Sequence, residues 1–331
     1  MPDCDLISEE NLGHKVPALR RAAPRSLVAL ANLYLRTQVM GQSPHTVDAK
    51  RRDLERLLRF YVDLYGHDDP AEWYPSVTRE LVSRLQRDRQ ASTGRPLSPA
   101  SVARVYATVR HFARWAHRNA FEFPQGSPVE GIRPPEEPEG EFKGLERKDV
   151  VRLLAAADSL QHAQSRGTNQ GVRNRAILHC LLASALRVSE VIGLELNQYD
   201  GRALRDVHQK GGRRRRAVPL NAAAREAMDA YLRERGREAG PLFLTRTGIR
   251  LDRRQIYEIV KRMERQANAH LPRMQRLEAT PHILRHTRLR RVAEERGVQV
   301  AQKLSGHRSG RYIWRYVQPS DRDLEALDTL D

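Results

Sequence analysis

Cysteine is nearly missing from this 331-residue chain, which has only Cys4 and Cys180. Two such distant thiols exclude a disulfide-stapled scaffold and a cysteine-based zinc site, and they fit a reducing compartment. Long apolar runs are missing as well. The longest, 176–186, contains His179 and falls well short of the roughly 20 residues of a membrane helix, so it reads as a buried helix. The N-terminus carries Asp3, Asp5, Glu9 and Glu10 and no apolar h-region, so no secretory signal is visible. No phosphate-cradling P-loop pattern, dense carboxylate cluster or internal repeat occurs. A soluble, two-domain protein is expected.

Lysine is also scarce: of 58 basic residues, seven are Lys and 51 are Arg. Arginine forks suit bidentate phosphate contacts, although genomic base composition produces the same bias. Against 41 acidic residues the chain carries +17, with a pI near 10.5. The charge is unevenly placed. Residues 1–142 have 20 basic and 19 acidic residues, net +1, whereas 143–331 have 38 and 22, net +16. Such asymmetry indicates a polyanion partner, of which nucleic acid is the commonest.

Residues 1–25 lack periodicity and read as a mobile tail. Over 26–125 four helices are expected. Leu27, Leu30, Leu33 and Tyr34 share one face. Ser43-Pro44 caps a helix with Leu54, Leu57, Leu58, Tyr61 and Leu64. Thr78 begins a third helix, and Ser98-Pro99 a fourth. The stretch 126–142 is rich in Pro, Gly and Glu and reads as a linker. From 143 to 331 the pattern is helical, with expected helices at 146–157, 173–184, 222–235, 253–269, 281–296, 300–304 and 321–330. A polar loop is expected at 161–171. Two short strands, 203–207 and 214–220, flank Gly211-Gly212 as a hairpin. The fold class is therefore mostly α: an all-α N-terminal domain, then an α+β domain with a small antiparallel sheet.

Five local signals in the second domain carry possible chemistry. Arg187 stands in an apolar segment with Glu190 three residues on, a structural ion pair or an anion site. Lys210 precedes the glycine turn and the run Arg213, Arg214, Arg215 and Arg216. That reads as a solvated basic turn or a track for a phosphate backbone. His282 and Arg285 share one face at a helix start, where an anion is favoured. His282 and His286 have the spacing of a zinc helix, but Ile283 occupies the position of the general-base Glu. His307 follows Gly306 in a turn, and Tyr316 lies nine residues further on; singly, Tyr316 reads as an ordinary aromatic. Taken together, two Arg, a Lys and two His around one phosphodiester, with a tyrosine hydroxyl as nucleophile, meet the needs of transesterification. Cations stabilise the developing charge, and acid–base groups serve the phenol and the leaving oxygen.

The series ALRVSEVIGL, QKGG…AVPL, PHILRH, LSGH and a tyrosine nine residues later resembles the tyrosine recombinase (phage integrase) family, of Xer or Cre type. The likeness extends over about 26–331, with the helical N-terminal part similar to that family's core-binding, SAM-like domain. The resemblance implies that Arg187 and Arg285 hold the scissile phosphate and that Glu190 supports Arg187. Lys210 would protonate the 5′-hydroxyl leaving group, with His282 assisting as acid/base and His307 hydrogen-bonding the phosphate. Tyr316 would form a 3′-phosphotyrosyl intermediate, followed by strand exchange through a Holliday junction, with no metal or nucleotide cofactor. Gly310-Arg311-Tyr312 and Val317 depart from the Xer pattern and leave Tyr312 as a rival nucleophile. The family also implies double-stranded DNA with a specific site, a homotetramer joined by the acidic helix 321–331, and a partner recombinase or accessory protein. Its setting would be the prokaryotic cytoplasm, at the nucleoid. Base and backbone contacts are expected from Arg51, Arg52, Arg56 and Arg254 as well as the hairpin arginines. Two other readings remain: a type IB topoisomerase or telomere resolvase, with the same phosphotyrosine chemistry but no exchange between partners, and a non-catalytic DNA-binding regulator that keeps the fold.

Overall fold

In the computed structural model, which describes residues 25–87, 94–136, 144–164, 170–209 and 212–306, serine hydroxyls start three helices of the first unit. Ser26 accepts from the Ala29 N–H at 3.2 Å and begins α1 (Leu27–Tyr34). Ser43 does the same for Thr46 at 3.3 Å, ahead of Pro44 in α2 (Pro44–Tyr65). The next helix, α3 (Pro75–Arg87), begins three residues before the expected Thr78. Thr78 is buried inside it, accepting from Trp73 Nε1 at 2.9 Å and donating to the Pro128 carbonyl at 2.7 Å. Ser98 then caps α4 (Pro99–Asn119), accepting from Ser101 N–H at 3.3 Å. Each cap satisfies an N–H that its own helix leaves free, and proline at the first position sacrifices no helical bond.

The apolar faces of these helices meet in one core with Leu30, Leu54, Leu57, Leu58, Val105, Val109 and Phe112 wholly buried around Trp73. Leu64, expected in the same stripe, is 40% exposed; it stands one residue before the last residue of α2, Tyr65. Segment 126–136 has no regular helix or strand, yet it is not a free tether. Val129 is buried, and Tyr106 donates to the Ile132 carbonyl at 3.0 Å.

The chain divides into two compact units at residues 140/141. In the second, α5 (Arg147–Gln164) and α6 (Gln170–Ser184) extend into the polar loop expected at 161–171. A Cβ on Gly171 would stand 2.7 Å from the Gln161 carbonyl oxygen, so glycine permits this close backbone approach. Helix α6 is buried on nearly all sides, Arg173, Asn174 and His179 included, and packs against α5 and later helices, as a central core helix must. After α7 (Val188–Ile192), strands β1 (Ala203–Gln209) and β2 (Arg213–Pro219) pair antiparallel. The remaining described helices are α8 (Ala222–Arg235), α9 (Arg253–Ala267), α10 (Pro281–Arg296) and α11 (Val298–Ser305). α6 lies against α8 and α10, and α5 against α9.

The hairpin register is continuous, but the alternation of its side chains is not. Leu204 faces Val218 and Val207 faces Arg215, three residues apart on both strands. An odd interval reverses side-chain direction in a regular strand, but Asp206, at φ +46°, breaks the alternation. Leu204, Val207 and Val218 are thus all fully buried, and Arg215 is drawn towards the inner face beside Val207. Among the described residues no helix is long and apolar enough to cross a membrane.

Candidate active site

The segment between α6 and α7 turns through Ala185, a fully buried residue at φ +52°. A left-handed conformation costs a non-glycine residue about 1–2 kcal/mol. Surrounding bonds hold it: Ser184 Oγ donates to the Cys180 carbonyl at 2.6 Å and accepts from the Leu186 N–H at 3.2 Å. The Ala185 carbonyl accepts from Arg285 Nη1. This turn delivers Arg187 to the cap position of α7.

Glu190, three residues into that helix, is the hub of the site. Its Oε2 accepts the Arg187 backbone N–H at 2.9 Å, and its Oε1 accepts Arg187 Nη1 at 2.9 Å. Arg285 Nη1 lies 3.9 Å from Oε2. Glu190 and Arg285 are each only 3% exposed at the side chain, whereas Arg187 is 38% exposed. A buried carboxylate needs such cationic partners. Arg285, on α10, also donates Nη2 to the Ser305 carbonyl at 2.8 Å, tying α10 to the end of α11.

Thr280 accepts from the Ile283 N–H at 3.2 Å and starts α10 with Pro281 at its first position. His282 therefore sits in the first turn. Burial, then Arg285, Arg187 and Arg253, pulls its pKa below the usual imidazole range, so the ring is neutral near pH 7. His282 Nε2 lies 2.5 Å from His286 Nε2, with one ring donating and the other accepting. Among the described residues no group of three or more His, Cys, Asp or Glu side chains is placed to hold a metal ion.

An open pocket of about 460 Å³ is lined by Arg187, Ser189, Arg253, Tyr257, His282 and Arg285. Arg187, Glu190, His282 and Arg285, distant in sequence, are thus assembled at one place. Arg253 and Tyr257 were not among the candidates. Periodicity marks a basic α9 but does not say which face meets α7; that contact is tertiary. Arg254, the residue expected to act, is exposed on α9 away from the pocket lining.

The other expected basic contacts differ among themselves. Arg52 and Arg214 are exposed and Arg51 is half-buried. Arg56 lies 3.6 Å from Asp53. Asp53 is fully buried and also takes Arg104 Nη1 at 2.5 and 2.6 Å and the Thr108 hydroxyl at 2.9 Å. Lys210, His307, Tyr312, Tyr316 and helix 321–331 lie outside the described residues, as do the tail 1–24 and the side chains of Arg213 and Arg216. The described neighbours of Lys210 and His307 do meet: a Cβ on Gly306 would stand 2.5 Å from the Gln209 side-chain amide.

The pattern of the phage integrase family matches residues 143–323. The tyrosine recombinase XerC of Pelobacter propionicus is 33% identical over 304 residues, 89% of this chain and 92% of its own. The tyrosine recombinase XerD of Mycobacterium tuberculosis is 29% identical over 277 residues, 81% and 85% of the two chains. A solved lambda integrase dimer bound to a COC′ core site shares the fold, with a TM-score of 0.67 at 16% identity over 90% of this chain and 78% of that one. The fold and the sequence likeness together define a DNA-recombining enzyme. The chain belongs to the phage integrase family, and it is a site-specific tyrosine recombinase.

Proposed function

We propose that the scissile phosphodiester of a specific double-stranded DNA site binds between Arg187 and Arg285, with His282 beside it. The observation that carries this reading is the Glu190 carboxylate, which takes two bonds from Arg187 and lies 3.9 Å from Arg285. The carboxylate orients the Arg187 guanidinium and stands beside that of Arg285, which the Ala185 and Ser305 carbonyls hold. The Tyr316 phenolic oxygen attacks phosphorus, the bond to O5′ breaks, and Lys210 gives the departing oxygen its proton. His307 hydrogen-bonds a non-bridging oxygen, and neutral His282 accepts or returns a proton. The phosphotyrosine conserves the ester, so a 5′-hydroxyl of another duplex reverses the step, and two rounds pass through a Holliday junction. No metal or nucleotide enters this scheme.

The units within 26–125 and 143–331, joined through 126–142, would each contact the duplex. Arg51, Arg52, Arg214 and Arg254 would supply phosphate contacts, with log K falling by about 0.9 per neutralised phosphate for each unit of log salt. The homotetramer would assemble by passing 321–331 to a neighbouring copy. That tail has five acidic residues, one Arg, and Leu324, Leu327 and Leu330 at helical spacing. A pocket of about 500 Å³ fits it by charge and polarity, lined by Arg246, Arg262 and Arg265 with Ile249, Leu251 and Ile259; Ile249 is 64% exposed there.

The test uses a duplex recovered by selecting bound sequences from a random pool, then nicked near the cleavage position to trap the intermediate. The wild-type chain and Tyr312→Phe should form a covalent adduct, and Tyr316→Phe should not. An adduct surviving in Tyr316→Phe would overturn the assignment of the nucleophile. Recombinant product from two such sites distinguishes exchange from simple relaxation.

A further inference from the structure

Arg215 was expected to run along a phosphate backbone with its neighbours. Its surroundings are different. It pairs opposite the fully buried Val207, whereas Arg214 on the same strand is exposed. With its side-chain amide turned to pair donor with acceptor, Gln209 Oε1 accepts from Arg215 Nη2 at 2.6 Å and from Nε at 3.2 Å, so the guanidinium clasps the last residue of β1. Burial lowers the Arg215 pKa, opposed by the Glu190 carboxylate and reinforced by Arg187, which places this side chain in the electrostatic neighbourhood of the site's hub.

The same clasp meets the end of α11. Gly306 terminates that helix at φ +68°, its N–H bonded to the Gln302 carbonyl at 3.1 Å. A Cβ there would be 2.5 Å from the Gln209 amide and 2.9 Å from Arg215 Nη2. Three chain segments therefore converge within van der Waals distance at Gln209, Arg215 and Gly306. In sequence, Lys210 directly follows Gln209, and His307 directly follows Gly306.

We infer that Arg215 is a positioning residue: by clasping Gln209 against Gly306 it fixes the residues that directly precede Lys210 and His307 in the chain, and so supports the general acid in its task. The inference rests on the proposed role of Lys210. A phosphate-clamping Arg215 would act on affinity; a positioning Arg215 acts on leaving-group protonation.

The two are separated with full-length protein on the selected duplex, made with either oxygen or sulfur at the bridging 5′ position. A 5′-thiolate departs without a proton, so sulfur bypasses any defect in the general acid. Arg215→Met should slow cleavage of the oxygen ester by roughly tenfold or more, part of the 10²–10⁴-fold a general acid supplies. It should cleave the sulfur ester at a rate close to wild type, and its affinity for the uncleaved duplex should not change. Gln209→Leu, which leaves the guanidinium in place, should show the same pattern and serves if Arg215→Met does not fold. Equal loss on both esters, wild-type rates on both, or a salt-sensitive loss of affinity would overturn the inference. Lys210→Ala is the control. If sulfur does not rescue it, the general-acid reading fails and the positioning role goes with it. If sulfur rescues Lys210→Ala while Arg215→Met behaves as wild type, only the inference about Arg215 fails.

Discussion

Glu190 accepts twice from Arg187, once from the backbone N–H and once from the guanidinium, both at 2.9 Å. One carboxylate thus caps the helix on which it sits and fixes the side chain that precedes it. Glu190→Gln keeps the shape but loses the charge and puts an NH₂ group against donors. Because Arg187 is partly solvated, a stability loss of about 1–3 kcal/mol is expected, read as a lower midpoint in urea. Adduct formation on the nicked duplex should fall further than that loss of folded protein explains.

Asp53 predicts a different phenotype for a neighbouring charge. It is buried and bonded to Arg104 and Thr108, with Arg56 at 3.6 Å. Asp53→Asn should destabilise the first unit by about 1–3 kcal/mol, because a buried carboxylate loses charge-assisted bonds whose arginine ends are partly solvated. Arg52→Ala should leave unfolding within about 0.5 kcal/mol of wild type while reducing the salt dependence of DNA binding. Equal midpoints for Asp53→Asn and wild type would refute the buried pair.

His179 makes the fold sensitive to acid. It is buried in α6, its Nε2 meets no partner among the described residues, and burial lowers its pKa. The unfolded imidazole titrates near 6.5, so as the pH drops below that value the unfolded state binds the proton first. Stability is then full above about pH 6.5 and declines as the pH falls towards the folded pKa. His179→Leu should flatten the pH dependence of the urea midpoint between pH 7 and 5; an unchanged slope would assign the acid sensitivity elsewhere.

The tail pocket offers a charge-swap experiment. Arg262→Glu with Arg265→Glu should weaken tetramer formation on DNA by at least tenfold, measured by sedimentation, while single-site binding persists. Reversing Asp321 and Asp323 to Arg in the same chain should restore part of the assembly. No effect of the Arg262 and Arg265 changes would remove the pocket as the receiving surface.

Much of the helical frame was legible from local chemistry. Ser26, Ser43, Ser98 and Thr280 announce helix starts because the cap bond is made within three residues. Helices 222–235 and 281–296 need no distant partner to be recognised. Thr78 misled because its hydroxyl serves Trp73 and Pro128 instead of a helix start. The loop at 161–171 was overestimated because its polarity concealed the close packing of Gly171 on Gln161.

The sequence by itself determined the class of chemistry: Arg187, Glu190, His282 and Arg285 stand at recognisable spacings, and side-chain type dictates what each can donate or accept. Only the tertiary structure decided which cations serve the site. The face of α9 that meets α7 brings Arg253 into the pocket lining and leaves Arg254 out of it, although both are exposed. Pairing opposite the buried Val207 draws Arg215 out of a basic run and against Gln209. Such choices depend on which surfaces pack together. That free energy is distributed over segments far apart in the chain, and no local spacing encodes it.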